Sequence, residues 1–90
     1  MERNTVLNIQ TERVSFQEVI EFVQLNRSFK SQVYINKHNQ QFNGNSITSM
    51  MRVLLTAKVG EHFIVNVIGE HADSEIIDII KLLEKTVSFN

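Results

Sequence analysis

Few residues in this chain could do chemistry near neutral pH. His38, His62 and His71 are its only imidazoles, the side chains best suited to serve as general base, phosphoryl acceptor or metal ligand. Their spacing fits no metal-binding pattern. Each also falls at a solvated position: His38 in a turn-forming stretch, His62 on the polar face of a strand, His71 in the loop ahead of the last helix. No metal and no cofactor is expected. The carboxylates Glu18, Glu21, Asp73 and Glu75 read as helix-terminus or solvent-face residues, so no nucleophile–base pair emerges and the chain does not read as an enzyme. With no cysteine, disulfides, thiolate catalysis and zinc–thiolate sites are excluded together.

Two serines at helix starts remain. Ser15-Phe16-Gln17-Glu18 fits the capping box, with Val14 and Val19 placed for a hydrophobic staple, and predicts a helix from Phe16. Asn43-Gly44-Asn45-Ser46 combines turn formers with a capping residue ahead of a second helix over Ile47 to Leu54. A hydroxyl at such a place caps the helix. A phosphate at the same place would meet unpaired backbone N–H groups and the positive end of the helix dipole.

The elements that must position these serines follow from periodicity. Thr5 to Gln10 alternates as a strand. Along the first helix Phe16, Val19, Ile20 and Val23 share a stripe, with Gln17, Glu21 and Gln24 toward water, and the helix fades near Asn26 to Ser28. Gln32 to Ile35 alternates again, Asn36 to Gln40 is composed like a turn, and Gln41-Phe42 completes a hairpin. After a loop through Lys58 and Gly60, Phe63, Val65 and Val67 alternate with His62, Ile64 and Asn66 as a central strand closed by Gly69. Asp73 or Ser74 can then cap a long amphipathic helix whose stripe runs Ile76, Ile79, Ile80, Leu83, Val87.

The resulting string is β-α-β-β-α-β-α. Helices with single apolar stripes and strands that alternate predict an α+β fold, an open-faced two-layer sandwich with a four-stranded antiparallel sheet and three helices on one face. Ninety residues, 42% of them apolar and spread throughout, suffice for one domain over residues 1–90. Nine Lys and Arg against ten Asp and Glu leave no field to attract nucleic acid or an anionic membrane. The opening Met1-Glu2-Arg3-Asn4 lacks the apolar stretch of a secretion signal, and no apolar run is long enough to span a bilayer, so the reading is cytoplasmic.

This order of elements, together with Asn43-Gly44-Asn45-Ser46-Ile47-Thr48-Ser49-Met50-Met51, resembles the HPr family, phosphocarrier proteins of the sugar phosphotransferase system. Their second helix opens with Asn-Ala-Lys-Ser-Ile-Met and a further Met. Phe22-Val23-Gln24 and the glycines Gly60 and Gly69 extend the resemblance over nearly the whole chain, apart from a loop before Gly60 about two residues longer than usual. The departure lies in the carrier motif, Gly-hydrophobic-His-Ala-Arg-Pro-Ala in the family and Arg13-Val14-Ser15-Phe16-Gln17-Glu18-Val19 here. Ser15 stands at the position of the phosphate-accepting histidine, Gln17 at that of the arginine and Glu18 at that of the proline.

The resemblance implies a regulatory, interaction-type protein without relay activity, a type with precedent among histidine-lacking Gram-positive paralogues. It implies regulatory phosphorylation at Ser46 by an HPr-kinase-like enzyme. It also implies a partner-binding surface of Phe16, Gln17, Ile20, Ile47, Thr48, Met50 and Met51, its partners being other proteins such as a transcriptional regulator or a metabolic enzyme, with the chain a monomer or weak dimer. A second reading of the same string is a ferredoxin-like small-molecule-sensing module, which would make the Asn-Gly-Asn-Ser-Ile run accidental.

Overall fold

The computed structural model describes residues 1–10, 14–84 and 87–89. Its elements are β1 (Glu2–Ile9), α1 (Phe16–Ser28), β2 (Gln32–Lys37), β3 (Gln40–Asn43), α2 (Ile47–Leu54), β4 (His62–Ile68), α3 (Ala72–Leu83) and β5 (Val87–Phe89). The expected four strands form an antiparallel sheet in the order β3-β2-β4-β1, and β5 extends it on the far side of β1.

Strand alternation places Leu7 and Ile9, Val33 and Ile35, and Phe63, Val65 and Val67 on one face, all buried. Against that face lie the apolar stripes of the helices: Val19, Phe22 and Val23 of α1, Met50, Val53 and Leu54 of α2, and Ile76, Ile79 and Leu83 of α3. The opposite face of the sheet stays open. This order of strands overturns the ferredoxin-like reading. In that topology β3 separates β1 from β2; here β4 lies between them and β3 sits outside on β2.

Local differences from the sequence expectation have identifiable causes. Phe16 is 54% exposed, and the buried stripe of α1 is Val19, Phe22, Val23 and Asn26 instead. The β2–β3 turn contracts to His38 and Asn39, both with positive φ (51° and 64°), the backbone that lets a two-residue hairpin turn follow the twist of its strands. Neither Asp73 nor Ser74 caps α3: the helix begins at Ala72 behind His71, which makes no side-chain cap bond. α3 also ends at Leu83, and Val87 lies in β5 opposite Ile9, so its burial comes from the sheet and not from a helical stripe.

One polar lock fixes the exit of α1. Glu75 of α3 is buried, and its carboxylate accepts the Ser31 hydroxyl and, at 3.2 Å, the Lys30 backbone N–H. Ser31 packs so closely on Gly69 that a Cβ there would lie 2.2 Å from its Oγ. This contact, not a turn, accounts for the glycine that closes β4.

Candidate functional site

At the start of α1 the sequence expectation is met atom by atom. Ser15 is the N-cap in extended conformation (φ −75°, ψ 157°). Its Oγ accepts from Glu18 N (3.1 Å), and Ser15 N donates to Glu18 Oε1 (3.0 Å), which completes the capping box. Val14 and Val19 are buried beneath it. Around this cap Phe16 and Gln17 are exposed and Ile20 is half-buried. Arg13, the first residue of the aligned motif, lies outside the described residues.

No histidine takes part in the hydrogen bonds of this cap. His71 precedes α3, whose first turn reaches Lys30 and Ser31 at the opposite end of α1. His38 sits in the β2–β3 turn with its Nε2 3.8 Å from Glu61 Oε2. His62 is exposed on the open face of the sheet. Among the described residues no three His, Cys, Asp or Glu side chains are grouped to hold a metal ion. The Glu61 carboxylate is held by Lys58 and Lys37. The Lys58 backbone N–H donated to its Oε1 at 2.7 Å, reinforced by Lys37 Nζ at 3.4 Å, holds it below the usual carboxylate range against a smaller opposing effect of burial.

The second helix start is built differently. Ser46 is the N-cap of α2, its Oγ accepting from Ser49 N at 3.2 Å. The turn before it is held by Asn43 Oδ1, which accepts from Asn45 N (2.8 Å), and by Gly44 N, which donates to Val33 O (2.7 Å). A Cβ on Gly44 would come within 2.9 Å of both Asn26 Nδ2 and Val33 Cγ1. Buried Asn26 donates through Nδ2 to Gly44 O (2.9 Å), and Arg27 Nε donates to Asn45 O (3.0 Å). The end of α1 thus carries the start of α2, and an exposed guanidinium stands one residue from the Ser46 hydroxyl. The first turn of α2 holds no acidic residue, so nothing there opposes an added anion.

Sequence reasoning missed Arg27. Its only sequence signal is a basic residue in a last helical turn, which says nothing of the turn it reaches across eighteen positions.

Of the expected surface residues on α2, Ile47 and Met51 are half-buried and Thr48 is exposed. Met50 is a correction: it is 0% exposed, because it shares the inward stripe of Val53 and Leu54, and it is closed to any partner. Phe16, Gln17, Ile20, Ile47, Thr48 and Met51 remain accessible on the helical layer.

Comparison with known proteins places residues 17–85 within the family model described as the PTS HPr component phosphorylation site; the match begins two residues beyond Ser15. The fold is similar to that of a histidine-containing phosphocarrier protein of Mycoplasma (19% identical, TM-score 0.77, covering 94% of this chain and 93% of that one). It is similar to the phosphocarrier protein HPr of Bacillus anthracis str. Ames (17% identical, TM-score 0.75, covering 90% and 95%). It is also similar to Crh of Bacillus subtilis, a catabolite repression protein described as an intertwined, domain-swapped dimer (19% identical, TM-score 0.67, covering 82% and 83%). No curated protein matches the sequence significantly.

Proposed function

From the premise that the chain belongs to the HPr family of the phosphotransferase system, we propose that it is a regulatory, protein-binding HPr that does not relay phosphate through the α1 cap. The observation that carries this reading is the Ser15–Glu18 capping box. A relay needs a nucleophile that is unprotonated near pH 7 and a phosphorylated form that gives its phosphate up readily. A serine hydroxyl has neither property without an adjacent base. Here it is already committed to a backbone N–H, with the Glu18 carboxylate 3.0 Å from its own backbone nitrogen. That carboxylate repels an incoming phosphoryl group, and Gln17 offers no guanidinium to hold it.

Regulation enters in this reading at Ser46, as a substrate of an HPr-kinase-like enzyme. Support comes from the unopposed N-terminus of α2 and from Arg27 beside it. The accessible helical surface, with Phe16 at its tip, is then what a transcriptional regulator or metabolic enzyme would contact in the cytoplasm. Exposed aromatic and flexible Met side chains suit adaptable protein contacts.

The test is phosphorylation of the purified chain from phosphoenolpyruvate by the upstream phosphotransferase enzyme. No acid-labile label is expected on the wild type. In parallel, HPr kinase with ATP is expected to label the wild type and not Ser46→Ala. Acid-labile labelling in the first assay would end the reading, and equal labelling of both chains in the second would move the modification away from Ser46.

A further inference from the structure

Asn43-Gly44 is the only Asn-Gly pair in the chain. Such a pair holds both halves of a reaction: a side-chain amide carbon, and a following backbone nitrogen that no Cβ shields. Asn43 is exposed at the end of β3. Its Oδ1 accepts from Asn45 N at 2.8 Å, and this N–H draws electron density from Cγ as an oxyanion-hole donor does from a carbonyl under attack. The electrophile is already polarised.

The nucleophile is held back. Gly44 N donates to the oxygen of buried Val33 at 2.7 Å, which ties its proton to β2. Asn43 itself pairs with Tyr34 in the ladder, and the extended backbone of a strand points the next nitrogen away from the residue's own side chain. Ring closure requires Asn43 to rotate out of the strand region, and that rotation breaks the bond from Gly44 N to Val33 O. The lock is local. β3 has four residues and lies at the edge of the sheet, paired with β2, and a short edge hairpin opens far more readily than the whole fold.

We infer that Asn43 is a self-modification site, gated by opening of the β2–β3 end, and that its main-chain-rearranged product unseats the α2 cap. On opening, Gly44 N adds to Asn43 Cγ. A C–N bond forms, the Cγ–Nδ2 bond breaks, and ammonia leaves with the proton that Gly44 N gives up. Water, the co-reactant, then opens the cyclic imide. Attack at Cγ leaves an aspartate at position 43. Attack at the main-chain carbonyl leaves an isoaspartate, whose backbone runs through the side-chain carbons and is one methylene longer.

The two products differ in what they do to the turn. The aspartate adds a charge and keeps the acceptor for Asn45 N. The isoaspartate lengthens the chain between the Tyr34 pairing and Gly44, where there is no slack. A Cβ on Gly44 would come within 2.9 Å of Asn26 Nδ2 and Val33 Cγ1, while its own N and O are bonded to Val33 O and Asn26 Nδ2. The longer backbone cannot keep both bonds, so the turn that carries the Ser46 cap shifts. Asn45, the other amide in this turn, is followed by Ser46, whose side chain crowds the attacking nitrogen.

The test is peptide mapping by mass spectrometry of the full chain held in mildly alkaline buffer, folded and, in parallel, unfolded in guanidinium chloride. The mass gain of amide-to-acid exchange is expected at position 43, at least about tenfold slower in the folded chain, the protection that a closed hairpin gives. Asn43→Gln, which would have to close a larger ring, should show no gain there. The isolated isoaspartyl chain is expected to melt below Asn43→Asp, which carries the same charge on an ordinary backbone. Absence of a gain at position 43 in the unfolded chain, equal rates in the two conditions, exchange at Asn45 ahead of Asn43, or equal melting of the two products would each overturn the inference.

Discussion

Arg27 Nε donates to the backbone oxygen of Asn45 at 3.0 Å, so the last turn of α1 holds the residue immediately ahead of the α2 cap. Ser15 and Arg27 lie twelve residues apart on α1, about 18 Å along the axis at ~1.5 Å per residue. The α2 cap is therefore tied to the end of α1 opposite Ser15, and the Arg27 side chain is bonded to the residue next to Ser46.

A negative charge at position 46 should stabilise the fold. Ser46→Asp is expected to be about 1–2 kcal/mol more stable in urea than Ser46→Ala, because Asp keeps the capping acceptor that Ala loses and adds a charge at the α2 dipole and near Arg27. Adding Arg27→Ala should remove part of that difference, and about 1 M salt should remove more of it by screening. No difference between Asp and Ala at position 46 would show that this helix start does not favour an anion.

Adjacent methionines on α2 separate core from surface. Met50→Ala leaves a void against the sheet and is expected to cost about 2–5 kcal/mol. Met51→Ala, at a half-buried position, should cost about 1 kcal/mol or less and instead weaken binding of a protein partner. Equivalent losses of stability at both positions would refute this division, with equilibrium denaturation as the measurement.

Periodicity made most of the fold legible, because each strand alternates and each helix carries one stripe. The Ser15 cap was legible to the atom, since every partner in it lies within three residues. What escaped was set by contacts distant in sequence. Val87 continues the apolar spacing of α3, yet it pairs with Ile9 in the sheet. Met50 and Met51 are alike in chemistry, and only the orientation of α2 on the sheet decides which is buried. Arg27 and Asn45 meet through tertiary packing alone, so the cation beside Ser46 left no local trace.

Acidification should weaken the contact between the β2–β3 hairpin and the start of β4. The folded-state pKa of Glu61 lies below 4.5, lowered by the Lys58 N–H and then by Lys37. A depressed acid contributes stability that is present above its unfolded pKa and lost as pH falls through the folded one. Glu61→Gln should therefore be less stable than the wild type by about 0.5–1 kcal/mol at pH 7, the range for a partly exposed pair. The gap should close as pH drops below 4.5. A gap that widens on acidification would contradict the assignment.

The cap of α1 yields the sharpest test, because stability and chemistry separate there. Ser15→Ala removes the acceptor for Glu18 N and should cost about 1 kcal/mol while leaving the chain as inert toward phosphoenolpyruvate and the upstream enzyme as before. Ser15→His supplies an imidazole at the same helix start, but Gln17 still offers no bidentate partner for phosphate. Adding Gln17→Arg provides one. The double variant is expected to acquire acid-labile label roughly tenfold faster than Ser15→His alone, the factor that one charge-assisted hydrogen bond of about 1.5 kcal/mol supplies. It should do so although its cap is weaker, since the relay depends on the nucleophile and its phosphate partner and not on the capping bond. If the double variant stays unlabelled while folded by circular dichroism, the α1 cap does not stand where the family carries its phosphate, and the reading of Ser15 as an emptied carrier position fails.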